Sequence, residues 1–167
     1  SEAVSPAVAG SVPSANYNCP GQIVISGESK AVAEAGEALK EAGAKRVLPL
    51  KVSGPFHSPM LKAAEKDLRQ ELEQIQFKTL QIPYVTNVNA QKITEESEIA
   101  DLLVRQMYSP VRWMQSMQTL IEDQVDTFIE IGPGKTLAGF MRRIDKGVKV
   151  YNIETWEDME KVIAELV

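Results

Sequence analysis

Short apolar runs alternate with stretches of helical periodicity along most of the chain. Residues 22–26 (QIVIS), apolar at Ile23, Val24 and Ile25, read as a buried strand closed by Gly27. From Ser29 the period lengthens: Val32, Ala35, Leu39 and Ala42 recur at helical spacing, and Gly43 stands where a helix C-terminus favours a residue free to adopt positive φ. Residues 46–52 (RVLPLKV) read as a second strand. Pro49, which donates no ladder hydrogen bond, confines it to an edge or a bulge. These three segments predict a β-α-β unit of about 30 residues. A unit that small cannot cover both faces of its own sheet, so a second unit is expected beside it.

Further on, Ser58-Pro59 is a helix start, because serine satisfies free N–H groups and proline fits the first turn. Leu61, Ala64, Leu68, Leu72 and Ile75 then form an apolar stripe. Residues 82–88 (IPYVTNV) read as a strand and 98–107 as a short helix with Ile99, Leu102 and Leu103 inward. Ser109-Pro110 repeats the cap-plus-proline signal and predicts a helix carrying Val111, Met114, Met117, Leu120 and Ile121. Residues 127–131 (TFIEI) read as a strand, which Gly132-Pro133-Gly134-Lys135 turns into a helix carrying Leu137, Phe140, Met141 and Ile144. Residues 148–153 are the last strand, and Thr155-x-x-Asp158 caps the terminal helix. Strands alternating with helices predict an α/β architecture. A division is expected near Lys51, and no internal repeat interrupts the pattern.

Composition narrows the function classes. Of 167 residues, 44% are apolar and 25% charged, near globular averages, so neither disorder nor membrane insertion is expected. The net charge of −5 comes from interspersed acids and bases, with no basic run to grip nucleic acid. No secretory leader is recognisable, and the single Cys19 rules out a disulfide framework, so a reducing, cytoplasmic setting is expected. The chain begins with Ser1 rather than Met, and residues 1–14 are small and proline-interrupted, as in a flexible leader or a cut edge.

Candidate chemistry centres on His57, the sole histidine, held between Pro55 and Pro59. Imidazole suits proton transfer near neutral pH. No Gly-x-Ser-x-Gly elbow accompanies it, so His57 is either structural or half of an active site. Gly132 to Lys135 looks like a phosphate loop but lacks Walker spacing; a tight strand-to-helix turn is the simpler reading. Glu95-Glu96-Ser97-Glu98 reads as a solvated helix start. Cys19 reads as inert, and with one histidine no metal site is expected. Asn16-Tyr17-Asn18 before Pro20-Gly21 reads locally as a turn, although two amides flanking an aromatic could also grip a polar ligand.

Taken together and in order, four blocks carry more than any one of them. Residues 15–27 (ANYNCPGQIVISG), 54–60 (GPFHSPM), 106–113 (QMYSPVRW) and 129–135 (IEIGPGK) resemble malonyl-CoA:acyl-carrier-protein transacylases, with a likeness running from about Val12 to the C-terminus. Members of that family are roughly twice as long, and their N-terminal half carries a Gly-Gln-Gly-Ser block and a Gly-His-Ser-Leu-Gly nucleophile elbow that this chain lacks. The resemblance therefore implies the C-terminal part of an α/β-hydrolase-like acyltransferase core (52–167) with part of a ferredoxin-like small subdomain (1–51). It implies malonyl transfer from coenzyme A to the phosphopantetheine thiol of acyl carrier protein through a seryl ester, with no cofactor beyond the coenzyme A thioester substrate. His57 would be the catalytic base, and the main-chain carbonyl of Gln106 would accept the other imidazole N–H in place of a triad carboxylate. Asn16 and Asn18 match the acyl and pantetheine pocket, and Phe56 matches a selectivity position where phenylalanine accompanies malonyl. The implied partners are malonyl-CoA, acyl carrier protein and the N-terminal half of the same enzyme, with no nucleic acid or membrane and a monomeric whole. The alternatives are a polyketide acyltransferase with another extender unit, or a non-catalytic carrier-protein binding module. By itself the chain is expected to be inactive and to expose unpaired strand edges.

Overall fold

The computed structural model describes residues 12–167, which fall into two compact units, one ending at Ser116 and one from Met117 to Val167. The expectations for residues 1–11 lie outside the described residues.

The first unit opens with a hairpin of β1 (Ser14–Cys19) and β2 (Gln22–Ile25), antiparallel, with Cys19 opposite Gln22. Its turn is Pro20-Gly21, and Gly21 at φ 77° takes the left-handed position that glycine tolerates best. The turn expected over Asn16-Tyr17-Asn18 is therefore a strand. Its partner comes from far along the chain: Tyr17 N–H donates to the Val111 carbonyl at 2.8 Å, and Val111 N–H donates to the Ala15 carbonyl at 2.7 Å. A neighbour on each side supplies β1 with the ladder bonds that asparagine would otherwise seek locally. Ala15 and Cys19 are buried, whereas Asn16, Tyr17 and Asn18 are half-buried, and the register shifts on both sides of Asn16-Tyr17.

Helix α1 (Ser29–Glu41) ends as its glycine predicts. Gly43 lies at φ 95°, and the N–H groups of Gly43 and Ala44 return to the carbonyls of Lys40 and Leu39, which is a Schellman closure. Ala35 of α1 is buried with Val12, against Ile25, Ala31 and Val32.

The expected β-α-β unit over 22–52 is not formed. Strand β2 pairs with β1, and residues 46–52 form no strand; Leu48, Leu50 and Val52 are 64%, 61% and 64% exposed. Periodicity marks a segment able to become a strand, but a ladder needs a partner, and Pro49 already removes one donor.

After the His57 turn, the predicted helix begins as a 3₁₀ segment (Pro59–Ala64) and continues as α2 (Glu65–Glu73). The apolar stripe overshoots its end, since Ile75 lies beyond α2 and is exposed. The strand expected over 82–88 is reduced to β3 (Tyr84–Val85), paired with β4 (Lys92–Ile93) around a turn where Thr86 Oγ1 donates to Asn89 Oδ1 at 2.7 Å. Helix α3 (Ile99–Tyr108) follows a short 3₁₀ turn (Glu96–Glu98), and Leu102 joins Val88 and Ile93 in a small core with Leu80 and Tyr84. The helix expected to open at Ser109-Pro110 starts later, as α4 (Trp113–Glu122). Val111 is extended instead and bridges to Asn16.

The second unit holds the β-α-β unit that the first lacks. Strand β5 (Thr127–Ile131), helix α5 (Thr136–Ile144) and strand β6 (Lys149–Ile153) follow in turn, the strands parallel and in register from Thr127 with Lys149 to Ile131 with Ile153. Helix α6 (Trp156–Leu166) starts with the predicted capping box: Asp158 N–H donates to Thr155 Oγ1 at 3.2 Å, and Thr155 N–H donates to Asp158 Oδ2 at 3.0 Å. Ile129 and Ile131 leave an apolar face of β5 exposed. No helix among the described residues is long and apolar enough to cross a membrane.

Candidate active site

The turn that carries His57 is tightly built. Ser58 is fully buried; its hydroxyl donates to the Pro55 carbonyl at 2.8 Å and accepts from Met60 N–H at 3.4 Å. Between these ties His57 is held at φ 57°, in the left-handed region that a residue with a Cβ enters at a cost of about 1–2 kcal/mol. Backbone strain of this kind persists only where the surroundings over-determine it. Here the surroundings are the serine hydroxyl on one side and the imidazole's own bond on the other.

That bond runs from Nδ1 to the main-chain carbonyl of Gln106, 3.0 Å away. A carbonyl can only accept, so Nδ1 carries a proton and donates it. The Gln106 side-chain Nε2 lies 3.3 Å from Nδ1 but donates to the Ser109 carbonyl at 3.2 Å, bracing the end of α3. The carbonyls of a helix's last turn have no intrahelical donors, which is why one of them is free to hold the ring.

Helix α3 is tied to the segment after His57 by charge. Arg69 of α2 reaches Glu65 at 3.2 Å and Asp101 of α3 at 3.1 Å, and its pKa is raised chiefly by the hydrogen bond to Asp101. Lys62 Nζ stands 5.9 Å above the Tyr108 ring. The Tyr108 hydroxyl is pushed up, first by desolvation and then by the Glu65 carboxylate.

Phe56 precedes His57 and is half exposed, its ring lying over Gly54, where a Cβ would stand 3.6 Å from the ring edge. Asn16 and Asn18 are both half-buried on β1, and Asn16 bridges to Val111, five residues beyond Gln106. The structure thus joins His57 to Gln106 directly and brings β1 to the loop that follows Gln106. Among the described residues no hydrogen bond links Asn16 or Asn18 to His57.

The phosphate-like loop is closed from within. Glu130 accepts the N–H groups of Leu137 and Ala138 at 3.0 and 2.8 Å, so its carboxylate occupies the N-terminus of α5 where an anion would sit. Asn152 Nδ2 donates to the Gly134 carbonyl at 2.8 Å, and Gly132 and Gly134 take φ of 137° and 84°. This is the turn that the sequence favours. Cys19 is buried, with its Sγ 3.8 Å from Gln22 Oε1. No group of three or more His, Cys, Asp or Glu among the described residues could hold a metal ion.

Sequence reasoning anticipates Ser58 as a helix cap but misses the bond of its hydroxyl back to the Pro55 carbonyl, and it misses the extended loop from Ser109 to Arg112. Both lie at Ser-Pro pairs, a pattern that by itself predicts only a helix start. A serine whose hydroxyl turns back to the residue three before it, and a proline too close to the end of one helix to open the next, were the available signals.

Residues 3–159 match the acyl transferase domain family. The malonyl CoA-acyl carrier protein transacylase of Bacillus subtilis is 46% identical over 152 residues, which cover 91% of this chain and 48% of that protein. Among solved structures, the MCAT of Streptococcus pneumoniae superposes with a TM-score of 0.87 at 44% identity, covering 94% of this chain and 51% of that one. A malonyl-transacylase solved with its type II PKS acyl-carrier protein gives a TM-score of 0.89 at 40% identity, covering 92% of this chain and 50% of that one. The chain spans about half the length of the relatives it matches.

Proposed function

The chain belongs to the acyl transferase domain family, and on that premise we propose that it is the histidine-bearing part of a malonyl-CoA:acyl-carrier-protein transacylase of fatty-acid synthesis. The observation that carries this reading is the bond from His57 Nδ1–H to the Gln106 carbonyl, which leaves Nε2 as a base. The nucleophile is a serine outside these 167 residues. As its Oγ attacks the malonyl thioester, Nε2 takes the serine proton; the imidazolium then protonates the departing coenzyme A thiolate. In the second half-reaction Nε2 deprotonates the phosphopantetheine thiol of acyl carrier protein. The sulfur attacks the seryl ester, and the proton returns to the serine oxygen. A carbonyl fixes the tautomer without offering a full charge to the imidazolium, and this suffices because a thiolate is a far less basic leaving group than an amine.

In this reading Phe56, Asn16 and Asn18 line the acyl and pantetheine pocket, and no cofactor takes part. Residues 1–51 belong to a ferredoxin-like small subdomain and 52–167 to a hydrolase-like core. The whole protein works as a cytoplasmic monomer that binds neither nucleic acid nor membrane, its N-terminal half covering the exposed apolar positions at Leu48, Leu50, Val52, Ile129 and Ile131. The test pairs this chain with an N-terminal half carrying the serine elbow and measures transfer from a panel of acyl-CoAs to carrier protein. Malonyl transfer is expected. Preference for methylmalonyl-CoA would move the protein to polyketide extender chemistry, and no transfer with retained carrier binding would leave a binding module.

A further inference from the structure

In an α-helix, the carbonyl of residue 106 would accept the N–H of residue 110. Residue 110 is Pro110, which has no N–H. Proline also drives the residue before it out of the helical region, and Ser109 ends α3 at φ −110°, ψ 151°. The next two N–H groups are engaged elsewhere: Val111 N–H on the Ala15 carbonyl at 2.7 Å and Arg112 N–H on the Asn87 carbonyl at 3.0 Å. From 110 to 112, every backbone donor that follows the helix is either missing or in use. The Gln106 carbonyl is left for the imidazole, which takes it at 3.0 Å. We propose that Pro110 is a positioning residue, which keeps the Gln106 carbonyl free for His57 and so fixes the tautomer of the ring.

This rests on reading His57 as the base, but it is tested without any transfer assay. His57 is the only histidine, so imidazole ¹⁵N spectra of the full chain report one ring. The parent is expected to show a fixed Nδ1–H tautomer with a slowly exchanging proton. Pro110→Ala restores an N–H that competes for the carbonyl; exchange of the imidazole proton should quicken about tenfold and the tautomers should average. A backbone ester at position 110, made with lactic acid, has neither ring nor N–H and should behave as the parent does. Spectra unchanged in Pro110→Ala would overturn the proposal. So would an ester that loses the tautomer, because the pyrrolidine ring rather than the missing N–H would then be what matters. If Pro110→Ala does not fold, the ester alone decides by the same two outcomes. In the serine-containing enzyme, Pro110→Ala should lower kcat about tenfold with KM within about twofold. Loss of the tautomer without any transfer activity in the parent would sink the transacylase reading and leave this one standing.

Discussion

Two glycine- and proline-rich turns lead into helices in this protein, and they differ in who answers their polar groups. At 132–135, the turn after β5 looks made for an anion, yet the Glu130 carboxylate already holds the N–H groups of Leu137 and Ala138. At 55–58, the turn has no motif of its own. Its serine is buried and bonded, its histidine is in left-handed backbone, and one ring nitrogen is fixed by the Gln106 carbonyl. The first turn is satisfied internally and is chemically quiet. The second uses its internal bonds to hold one imidazole in place. The partner of each polar atom, rather than the look of the motif, separates scaffold from candidate site.

The contrast can be broken most severely at His57. In the serine-containing protein, His57→Ala should reduce malonyl transfer by several orders of magnitude, as loss of a catalytic base does. His57→Gly should be equally inactive but more thermally stable than His57→Ala, because glycine tolerates φ 57°. Near wild-type transfer in either would remove His57 from the mechanism.

The next effect belongs to Ser58. Replacing it with alanine leaves the part-buried Pro55 carbonyl without its hydroxyl donor and the Met60 N–H without its acceptor, and should cost about 1–2 kcal/mol in denaturant melts. Transfer should fall as well, because the histidine turn loses one of its two ties. Equal stability would mean that His57 needs no such support.

Glu130→Ala would turn the quiet turn into the one its sequence imitates. It should cost about 1 kcal/mol through loss of the carboxylate from the α5 N-terminus. It should also open a weak anion site, read as a phosphate-dependent rise in Tm that the parent does not show. No such rise would indicate that the vacated N–H groups close on another acceptor.

The smallest effect is at the last helix. The Asp158 carboxyl is held below its ordinary 3.8, first by the backbone N–H of Thr155 and then by that of Glu154. A folded-state value below the unfolded one means that its stabilisation is present above about pH 4 and is lost as pH falls through the folded value. Asp158→Asn should flatten that part of the acid limb in a pH series of thermal melts and should leave transfer unchanged.

The elements with local causes were legible in the sequence. Helix α1 with its Gly43 closure, β5 and β6 with the turn between β5 and α5, and the Thr155–Asp158 box are written in residues three to four apart or in period alone. So were the candidate residues His57 and Gln106, once four spaced blocks were taken together. What the sequence did not contain was partnership. Residues 46–52 have a strand's pattern but no ladder, and Asn16 to Asn18 have a turn's composition but lie between β2 and Val111. Backbone polar groups take whichever donor or acceptor the tertiary fold brings near, and that choice is nonlocal. For the same reason a proline read as a helix start proved to end one, so that the carbonyl of Gln106 meets the imidazole of a residue 49 positions away.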